Sequence, residues 1–280
     1  MNTNKKYCNI YQYINYLIIY LYIYIYIMLK IVIRSYNHDN YLQKCFNSIL
    51  EQKFKHYELF IVDDMSTDNS IDIIKEYCNK YNWRYISNIS RMGALYNRVL
   101  AINNLNCNDE DIIVIIDGDD WLSNETVFNY INNLYIDNDI LLTFGGLKPY
   151  YNTKIYPKTT RTDPNIMNNQ IKNFLNNKNK IIKNKLFRKK PYIFTQLQTF
   201  KFKLFKKIKK ENYLDQNNNW YKTSTDYAYM YPLLELSEGK FKLIDKFVYI
   251  YNVHSSNVHS VKKKEMSLSE MELRNKKIIL

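Results

Sequence analysis

The chain has few residues that interrupt regular structure and few that form cross-links. Its 280 residues include 5 Gly, 5 Pro and only 3 Ala, against 37 Asn and 28 Tyr. The 4 Cys are scattered without a C-x-x-C pair, which argues against a disulfide scaffold and a cysteine-rich zinc site and favours a reducing compartment, the cytoplasm. With 46% hydrophobic and 24% charged residues, the composition excludes collagen-like and disordered chains. The length suits one large or two small domains with a real core.

Acidic side chains are scarce in the second half of the chain. Residues 28–147 carry 10 Lys and Arg against 17 Asp and Glu, whereas residues 148–222 carry 19 against 3. The formal net charge of +13 therefore combines an acidic region with a basic one. Asn, Lys, Ile and Tyr have AT-rich codons, so nucleotide bias explains part of the lysine excess but not this asymmetry. We therefore predict two functional parts, residues 28–147 and residues 148–280.

The first 27 residues form a low-complexity extension rich in Tyr and Ile. Residues 10–29 carry no charge, and about 20 apolar residues suffice for a membrane-spanning helix. However, Tyr belongs at the membrane interface rather than at the bilayer centre, and the run leads directly into a predicted buried strand. We therefore favour an extension or a mis-set start before Met28, and keep a membrane anchor as the minority alternative.

From Met28 onward, short apolar runs alternate with amphipathic segments. Strands are predicted at residues 29–33, 59–62, 83–86, 112–116 and 140–144, and helices at residues 41–52, 68–81, 93–105 and 125–135. This alternation predicts an α/β fold in which β-α-β crossovers build a mainly parallel sheet flanked by helices. In such sheets, ligands bind outside the carboxyl ends of the strands.

Carboxylates are concentrated directly after two of these predicted strands. Asp63 and Asp64 follow the second strand, and Asp117, Asp119 and Asp120 form the DGDD segment after the fourth. Buried like charges repel one another and need a compensating cation. No His cluster lies nearby in the sequence, so we expect an oxygen-ligated divalent ion, Mn²⁺ or Mg²⁺, with phosphates among its other ligands.

Three segments of the acidic part together resemble a known family. They are IVIRSYNHDNYLQKCFNSILEQKFKHYELFIVDDMSTDNS, NISRMGALYNRVLAI and IIVIIDGDDWL. The first resembles the opening of family 2 glycosyltransferases, which are inverting enzymes of the GT-A fold, and the others resemble the next family segment and its D-x-D region. The resemblance covers residues 28–147. It implies a Rossmann-like sheet with a smaller mixed acceptor region, and transfer of a sugar from a nucleotide-diphosphate donor, which we expect to be UDP-linked, to a hydroxyl of a glycan, protein or lipid acceptor.

The resemblance also implies roles in nucleotide binding. Tyr36 looks like the residue that stacks near the base, and Asp64 looks like the carboxylate that recognises it. Asp63 would support Asp64. Arg91, near the exit of the third strand, would reach the nucleotide.

Within DGDD, the resemblance implies that Asp119 contacts the ribose and that Asp120 binds the metal. Asp117 fills the first acidic position and would bind ribose or metal. In related enzymes a His in a late loop completes the metal site or contacts the diphosphate, and His254 or His259 in YNVHSSNVHS could do so here.

An inverting transfer needs a general base for the acceptor hydroxyl. The family supplies it as an acid at a helix start in the second half, and the best match is Asp226 in KTSTDYAYMYPLLEL. A plain first-turn acid that interacts with the helix dipole is the alternative interpretation. Glu235, well inside the same predicted helix, is the second candidate for the base.

The basic part contains a stretch, TFKFKLFKKIKK at residues 199–210, in which aromatic and basic residues alternate as in a strand. It could form a cationic rim for anionic substrates or a peripheral contact with a membrane surface. Nucleic acid ranks last as a partner, because no nucleic-acid-binding motif accompanies the stretch. Near the C-terminus, Ser267 and Glu270 form a capping-box pattern before a short predicted helix.

Two other functions remain open at this point. A nucleotidyltransferase would need a Gly-rich phosphate loop with a Lys near the first strand, and SYNHDN contains no Gly. The rival from another class is a non-catalytic protein that binds a nucleotide sugar in a degenerate site.

Overall fold

The computed structural model of the protein describes residues 27–136, 139–151, 164–254 and 263–278. Most of the Tyr- and Ile-rich extension and His259 lie outside the described residues. Within these ranges, no helix combines the length and the apolar character needed to cross a bilayer.

Strands and helices alternate along the chain as the sequence predicts. The strands are β1 Leu29–Ser35, β2 Tyr57–Asp63, β3 Arg84–Ser87, β4 Ile112–Asp117, β5 Trp121–Leu122, β6 Leu142–Tyr151, β7 Gln198–Lys201 and β8 Phe241–Val253. The α-helices are α1 Asp39–Leu50, α2 Ser70–Tyr81, α3 Ala94–Asn104, α4 Val127–Ile136, α5 Pro164–Asn176, α6 Lys178–Lys183, α7 Phe202–Phe205, α8 Thr225–Leu236 and α9 Lys263–Asn275. Up to α4, every predicted helix and strand is present, and its ends agree with the prediction within two residues.

The described residues contribute eight strands to one sheet, in the order β3-β2-β1-β4-β7-β6-β8-β5. The first four of these strands are parallel, which confirms the prediction of a parallel sheet for this part. β7 runs antiparallel between β4 and β6, while β6 pairs in parallel with β8 and β5 pairs antiparallel with β8. The later strands therefore form the expected mixed region. Because both predicted parts contribute to one sheet, their boundary at residue 147 stays a prediction.

Side chains of the central strands alternate between two apolar cores. On β1, Ile31 and Ile33 face one core and Val32 faces the other. Helices α1, α2 and α4 cover the first core, and α3 and α8 cover the second. Burial on both faces explains why these strands are continuous apolar runs in the sequence.

The β6 strand is longer than predicted. The prediction ended it at residue 144, before Gly145 and Gly146, but the strand continues to Tyr151 with a register shift between Gly145 and Leu147. Both glycines have positive φ, +100° and +78°, and a Cβ on Gly146 would lie 2.6 Å from the carbonyl oxygen of Lys246. The glycines therefore form a bulge that lets pairing with β8 resume, rather than a chain break.

The basic stretch at residues 199–210 is not one continuous strand, contrary to the alternation pattern. β7 ends at Lys201 and a short helix follows. Lys201 and Lys203 each lie 2.6 Å from a carboxylate oxygen of Glu110, and Lys206 lies 2.5 Å from Asp109. Three lysines of this stretch therefore pair with acids of the loop before β4. A membrane contact through this stretch stays a prediction, and these three charges are already paired within the protein.

The C-terminal helix also differs from its predicted start. The capping-box pattern placed the beginning at Ser267, but α9 begins at Lys263, so Ser267 lies inside the helix. Leu273 is buried against the second core, whereas Leu268 and Met271 are exposed. Arg188 donates to the carbonyl oxygen of Leu273 over 2.7 Å and so ties this helix to the body of the protein.

Candidate active site

The carboxylate of Asp64 lies in a ring of donors at the carboxyl end of β2. Its Oδ1 accepts hydrogen bonds from the Met92 N–H (2.8 Å) and from Asn88 (3.0 Å), and its Oδ2 accepts from the Gly93 N–H (3.0 Å) and from Arg91 Nε (3.1 Å). Burial by itself favours the neutral acid, but the backbone and amide donors outweigh it and lower the pKa of Asp64. Asp64 is therefore a fixed, ionised acceptor at the edge of the sheet.

Tyr36 and Arg91 lie beside this carboxylate. The guanidinium carbon of Arg91 is 3.1 Å from the centre of the Tyr36 ring, which is a cation–π stack. Asp63 makes different contacts, because its Oδ2 accepts from the Ser66 N–H (3.1 Å) and from Ser87 Oγ (3.0 Å). The structure thus brings Tyr36, Asp64 and Arg91 together and gives Asp63 a contact that holds the adjoining loop.

Asp117, the first acid of DGDD, is bound by two arginines. Arg34 Nη2 lies 3.0 Å from its Oδ2 and Arg98 Nη2 lies 3.1 Å from its Oδ1. Its backbone N–H donates to Tyr249 Oη over 3.1 Å. Both carboxylate oxygens therefore have cationic partners inside the protein.

Asp226 opens α8 and meets the same arginine. Arg98 Nη1 lies 2.8 Å from Asp226 Oδ1, although 128 residues separate the two. The second candidate base, Glu235, forms a bidentate pair with Arg188 at 2.7 and 2.9 Å instead. Of the two acids on α8, it is Asp226 that the structure brings next to DGDD.

Two imidazoles flank Asp119. His254 Nε2 lies 2.9 Å and His38 Nε2 lies 3.8 Å from Asp119 Oδ2. Burial disfavours the charged carboxylate, but His38, His254 and Arg34 outweigh it and hold the pKa of Asp119 below its ordinary value. The His254 ring stacks on Tyr41 with the ring centres 5.1 Å apart, so α1 fixes the orientation of this late residue.

Asp120 makes different contacts from its neighbour. Its Oδ2 accepts from Tyr249 Oη and its Oδ1 accepts from the Asn252 N–H, both over 2.8 Å, and the residue is fully buried. Burial and the nearby carboxylates of Asp119 and Asp117 raise its pKa well above the ordinary value. Asp120 thus ties β8 to the DGDD turn. Its role as metal ligand stays a prediction, and the geometry favours Asp119 for that role.

Asp119 and His254 are the side chains that would hold a divalent cation at this point of the site. Over the described ranges, no group of three or more His, Cys, Asp or Glu side chains is arranged to hold a metal. Asp119 and His254 offer one carboxylate and one imidazole, a set that suits Mn²⁺ and leaves coordination positions for diphosphate oxygens and water. The residues therefore fit a cation that binds together with a phosphate-bearing ligand.

Several residues of the site were missed by sequence reasoning. Arg34, His38 and Arg98 contact the DGDD acids, and Tyr249 holds the turn from β8. Arg98 carried a usable signal, because it follows Leu95 by three positions on the apolar face of α3 and a charged residue there needs a buried partner. The other three have no such pattern in the sequence.

These strand-end acids belong to a region that matches a known family model. The model for glycosyl transferase family 2 matches residues 30–209, more than half of the chain. The chain belongs to glycosyl transferase family 2. The family resemblance inferred from the sequence is thereby confirmed.

Named relatives match part of this family 2 chain. Residue identity is 31% over 105 residues with the glycosyltransferase GlyA of Streptococcus pneumoniae, covering 38% of this chain and 14% of that protein. It is 31% over 124 residues with the poly(ribitol-phosphate) beta-glucosyltransferase of Bacillus spizizenii, covering 42% of this chain and 19% of that protein. The chain thus spans less than a fifth of the length of either relative.

Solved structures share the fold of this family 2 chain at low sequence identity. Residues 1–349 of Staphylococcus aureus TarS in complex with UDP-GlcNAc align with a TM-score of 0.57 and 16% identity, covering 84% of this chain and 61% of that one. The mannosyltransferase PcManGT of Pyrobaculum calidifontis, in complex with GDP-Man and Mn²⁺, aligns with a TM-score of 0.56 and 14% identity, covering 90% and 65%. This likeness shows the fold and confirms the expected GT-A architecture.

Proposed function

We propose that this family 2 chain is an inverting glycosyltransferase, which transfers a sugar from a UDP-linked donor to a hydroxyl of a glycan, protein or lipid acceptor. One observation carries the proposal. Acids from the ends of β2 and β4 and from the start of α8 converge at one edge of the sheet, and Arg98 links Asp117 to Asp226 there. Open α/β sheets bind ligands at this edge.

The donor end of the proposed site is the surface formed by Tyr36, Asp64 and Arg91. A flat aromatic ring, a fixed carboxylate and a half-exposed guanidinium suit a nucleotide, because bases stack on aromatic rings and donate N–H groups to carboxylates. The solved TarS structure contains UDP-GlcNAc, which supports a UDP-linked donor for this chain.

The diphosphate end of the proposed site is the pair Asp119 and His254, which would hold a Mn²⁺ or Mg²⁺ ion. When bound, a divalent ion neutralises the charge that develops on a leaving diphosphate. Asp119 presents an ionised carboxylate, and Tyr41 keeps the His254 ring beside it. The solved PcManGT structure contains Mn²⁺, which supports a divalent metal here.

The proposed chemistry is a single displacement with Asp226 as the general base. Asp226 accepts the proton of the acceptor hydroxyl while that oxygen bonds to the anomeric carbon of the sugar. The bond between the anomeric carbon and the diphosphate oxygen breaks on the opposite side, so UDP leaves and the configuration inverts. Placement at the first turn of α8 favours the carboxylate form of Asp226, because the helix dipole stabilises a negative charge there.

The experiment is a donor panel on the full chain. UDP-glucose, UDP-galactose, UDP-N-acetylglucosamine and GDP-mannose are each incubated with Mn²⁺, with Mg²⁺ or with EDTA, and the released nucleotide is measured. We expect release from a UDP-linked donor that depends on the divalent ion. Binding of UDP without release from any donor would support the non-catalytic alternative, and release that is unaffected by EDTA would refute the metal requirement.

A further inference from the structure

Arg98 joins the two acidic positions that frame the proposed site. It lies on α3 with 3% of its surface exposed, and its two terminal nitrogens point at different carboxylates. Nη2 lies 3.1 Å from Asp117 Oδ1 at the end of β4, and Nη1 lies 2.8 Å from Asp226 Oδ1 at the start of α8. Nη1 also donates to Thr225 Oγ1 over 3.2 Å. One side chain thus spans three elements.

Asp117, one of the two carboxylates that Arg98 joins, is held in place by further contacts. Arg34 Nη2 also lies 3.0 Å from Asp117 Oδ2, and the backbone N–H of Asp117 donates to Tyr249 Oη. Asp117 is therefore a buried anion that holds the Arg98 guanidinium at the end of β4. The planar guanidinium presents its N–H groups to the two carboxylates in a fixed geometry, whereas a lysine ammonium is a point charge on a flexible stem.

Breaking the ion pairs of Arg98 with Asp117 and Asp226 costs free energy. Burial disfavours a charged guanidinium, but Tyr229, Asp117 and Asp226 outweigh that effect and hold the pKa of Arg98 well above its ordinary value. Removing one partner of such a buried pair leaves the other charge uncompensated. The Asp226 carboxylate therefore takes its orientation from Arg98 as well as from its own helix.

We propose that Arg98 is a positioning residue for glycosyl transfer, which sets the orientation of the Asp226 carboxylate and couples it to the DGDD turn through Asp117. The proposal rests on the proposed function, because it assigns Arg98 to the reaction through Asp226. Arg98 needs no contact with the donor or the acceptor in this role. It explains why a buried arginine occupies the apolar face of α3.

A matched control exists in the same chain. Arg188 is also buried, with 8% exposure, and forms a bidentate ion pair with Glu235, but this pair lies on the α9 side of α8 rather than beside DGDD. Arg98→Met and Arg188→Met each delete a buried guanidinium. A purely structural role for Arg98 would make the two variants alike.

The test compares Arg98→Met, Arg98→Lys and Arg188→Met for hydrolysis of UDP-N-acetylglucosamine with Mn²⁺ and for binding of UDP. We expect Arg98→Met to lower kcat by about 100-fold, because small misplacements of a reacting group cost that much, while the Kd for UDP changes by less than about threefold. Arg98→Lys should recover part of kcat, and Arg188→Met should keep kcat despite a lower melting temperature. Equal losses of kcat in Arg98→Met and Arg188→Met, or a parallel loss of UDP binding, would overturn the proposal.

A second measurement is independent of turnover. Melting temperatures of Arg98→Met, Asp226→Asn and the double variant form a cycle in which partners in contact give non-additive shifts. We expect clear non-additivity. If the melting-temperature shifts are additive while the wild type is active, the inference about Arg98 is wrong and the proposed function stands. If the wild type releases no nucleotide, both the proposed function and the inference are wrong.

Discussion

His254 Nε2 lies 2.9 Å from Asp119 Oδ2, although 135 residues separate the two side chains. Asp119 belongs to the turn after β4, and His254 follows β8, which lies three strands away in the sheet. The contact brings a late residue back to the acids of the first part. Residues from both parts of the chain therefore form the site.

Asp119→Asn and His254→Gln should each weaken Mn²⁺ binding by at least about tenfold, because each removes a donor from a small ligand set. Asp120→Asn should leave Mn²⁺ binding nearly unchanged, since that carboxylate already accepts from Tyr249 and Asn252. Electron paramagnetic resonance of free Mn²⁺ measures the affinities, in the presence of UDP. His56→Gln is the control, because His56 precedes β2 and its Nδ1 contacts the carbonyl oxygen of Ile27, at the amino ends of the strands. Loss of Mn²⁺ binding in Asp120→Asn alone would instead favour the assignment made from the sequence.

Asp64→Asn should raise the Kd for UDP by about 10- to 100-fold, because it removes an ionised acceptor worth about 1.5–3 kcal/mol to a charged or polar partner. Isothermal titration calorimetry measures the change. Asp72→Asn, an exposed acid on α2, is the matched control and should bind UDP as the wild type does. Equal affinity of the Asp64 variant and the wild type would contradict a nucleotide role.

The same residue predicts a pH dependence of stability. The pKa of Asp64 is lower in the folded protein than its ordinary value of 3.8, so its contribution to the free energy of unfolding is present above about pH 4 and is lost as the pH falls through the folded pKa. Asp64→Asn should therefore lower stability near neutral pH, and the difference from the wild type should shrink below about pH 4. Urea unfolding at several pH values measures it. A constant difference across that range would show that the carboxylate charge is not involved.

Gly118 predicts a packing effect inside the DGDD turn. A Cβ there would lie 2.9 Å from the carbonyl oxygen of Arg34 and 3.0 Å from His38 Nδ1. Gly118→Ala should therefore lower the free energy of unfolding by about 1–3 kcal/mol, as overpacking in a full core does. Chemical unfolding measures the loss, and an unchanged stability would contradict the close approach.

Asp226→Asn should keep the Kd for UDP and lower kcat for donor hydrolysis by about 10²- to 10⁴-fold, because an amide cannot accept the proton. Asp215→Asn is the control, since that carboxylate caps its own loop by accepting from the N–H groups of Asn217 and Asn219. Retained kcat in Asp226→Asn would refute the base assignment.

The sequence was sufficient for the parallel part of the fold because its signals there are local. Runs such as residues 112–116 are apolar throughout since both faces are covered, and the helices between them keep one apolar face. The later strands were harder to predict, because the bulge at Gly145 and Gly146 depends on pairing with β8, about 100 residues further along the chain. Likewise, β7 ends at Lys201, and lysines of residues 199–210 pair with acids of a loop that is distant in the sequence, which no local pattern shows.

The same distinction applies to the site. Asp64 and the DGDD acids could be predicted because strand ends concentrate polar side chains at one edge of the sheet. The sequence could not show which partner each acid contacts, because Asp119 and Asp120 are adjacent in sequence but contact different residues. The arginine bridge from Asp117 to Asp226 is a long-range contact with no local pattern beyond a charge on an apolar helix face.

The most direct test of inverting transfer is the anomeric configuration of the sugar first released from an α-linked UDP-sugar, followed by proton NMR at early times with Mn²⁺ on the full chain. A single displacement supported by Asp226 predicts that the β-anomer appears first and then equilibrates with the α-anomer. Initial release of the α-anomer would contradict inversion, and no release from any α-linked UDP-sugar would contradict the proposed UDP-linked donor.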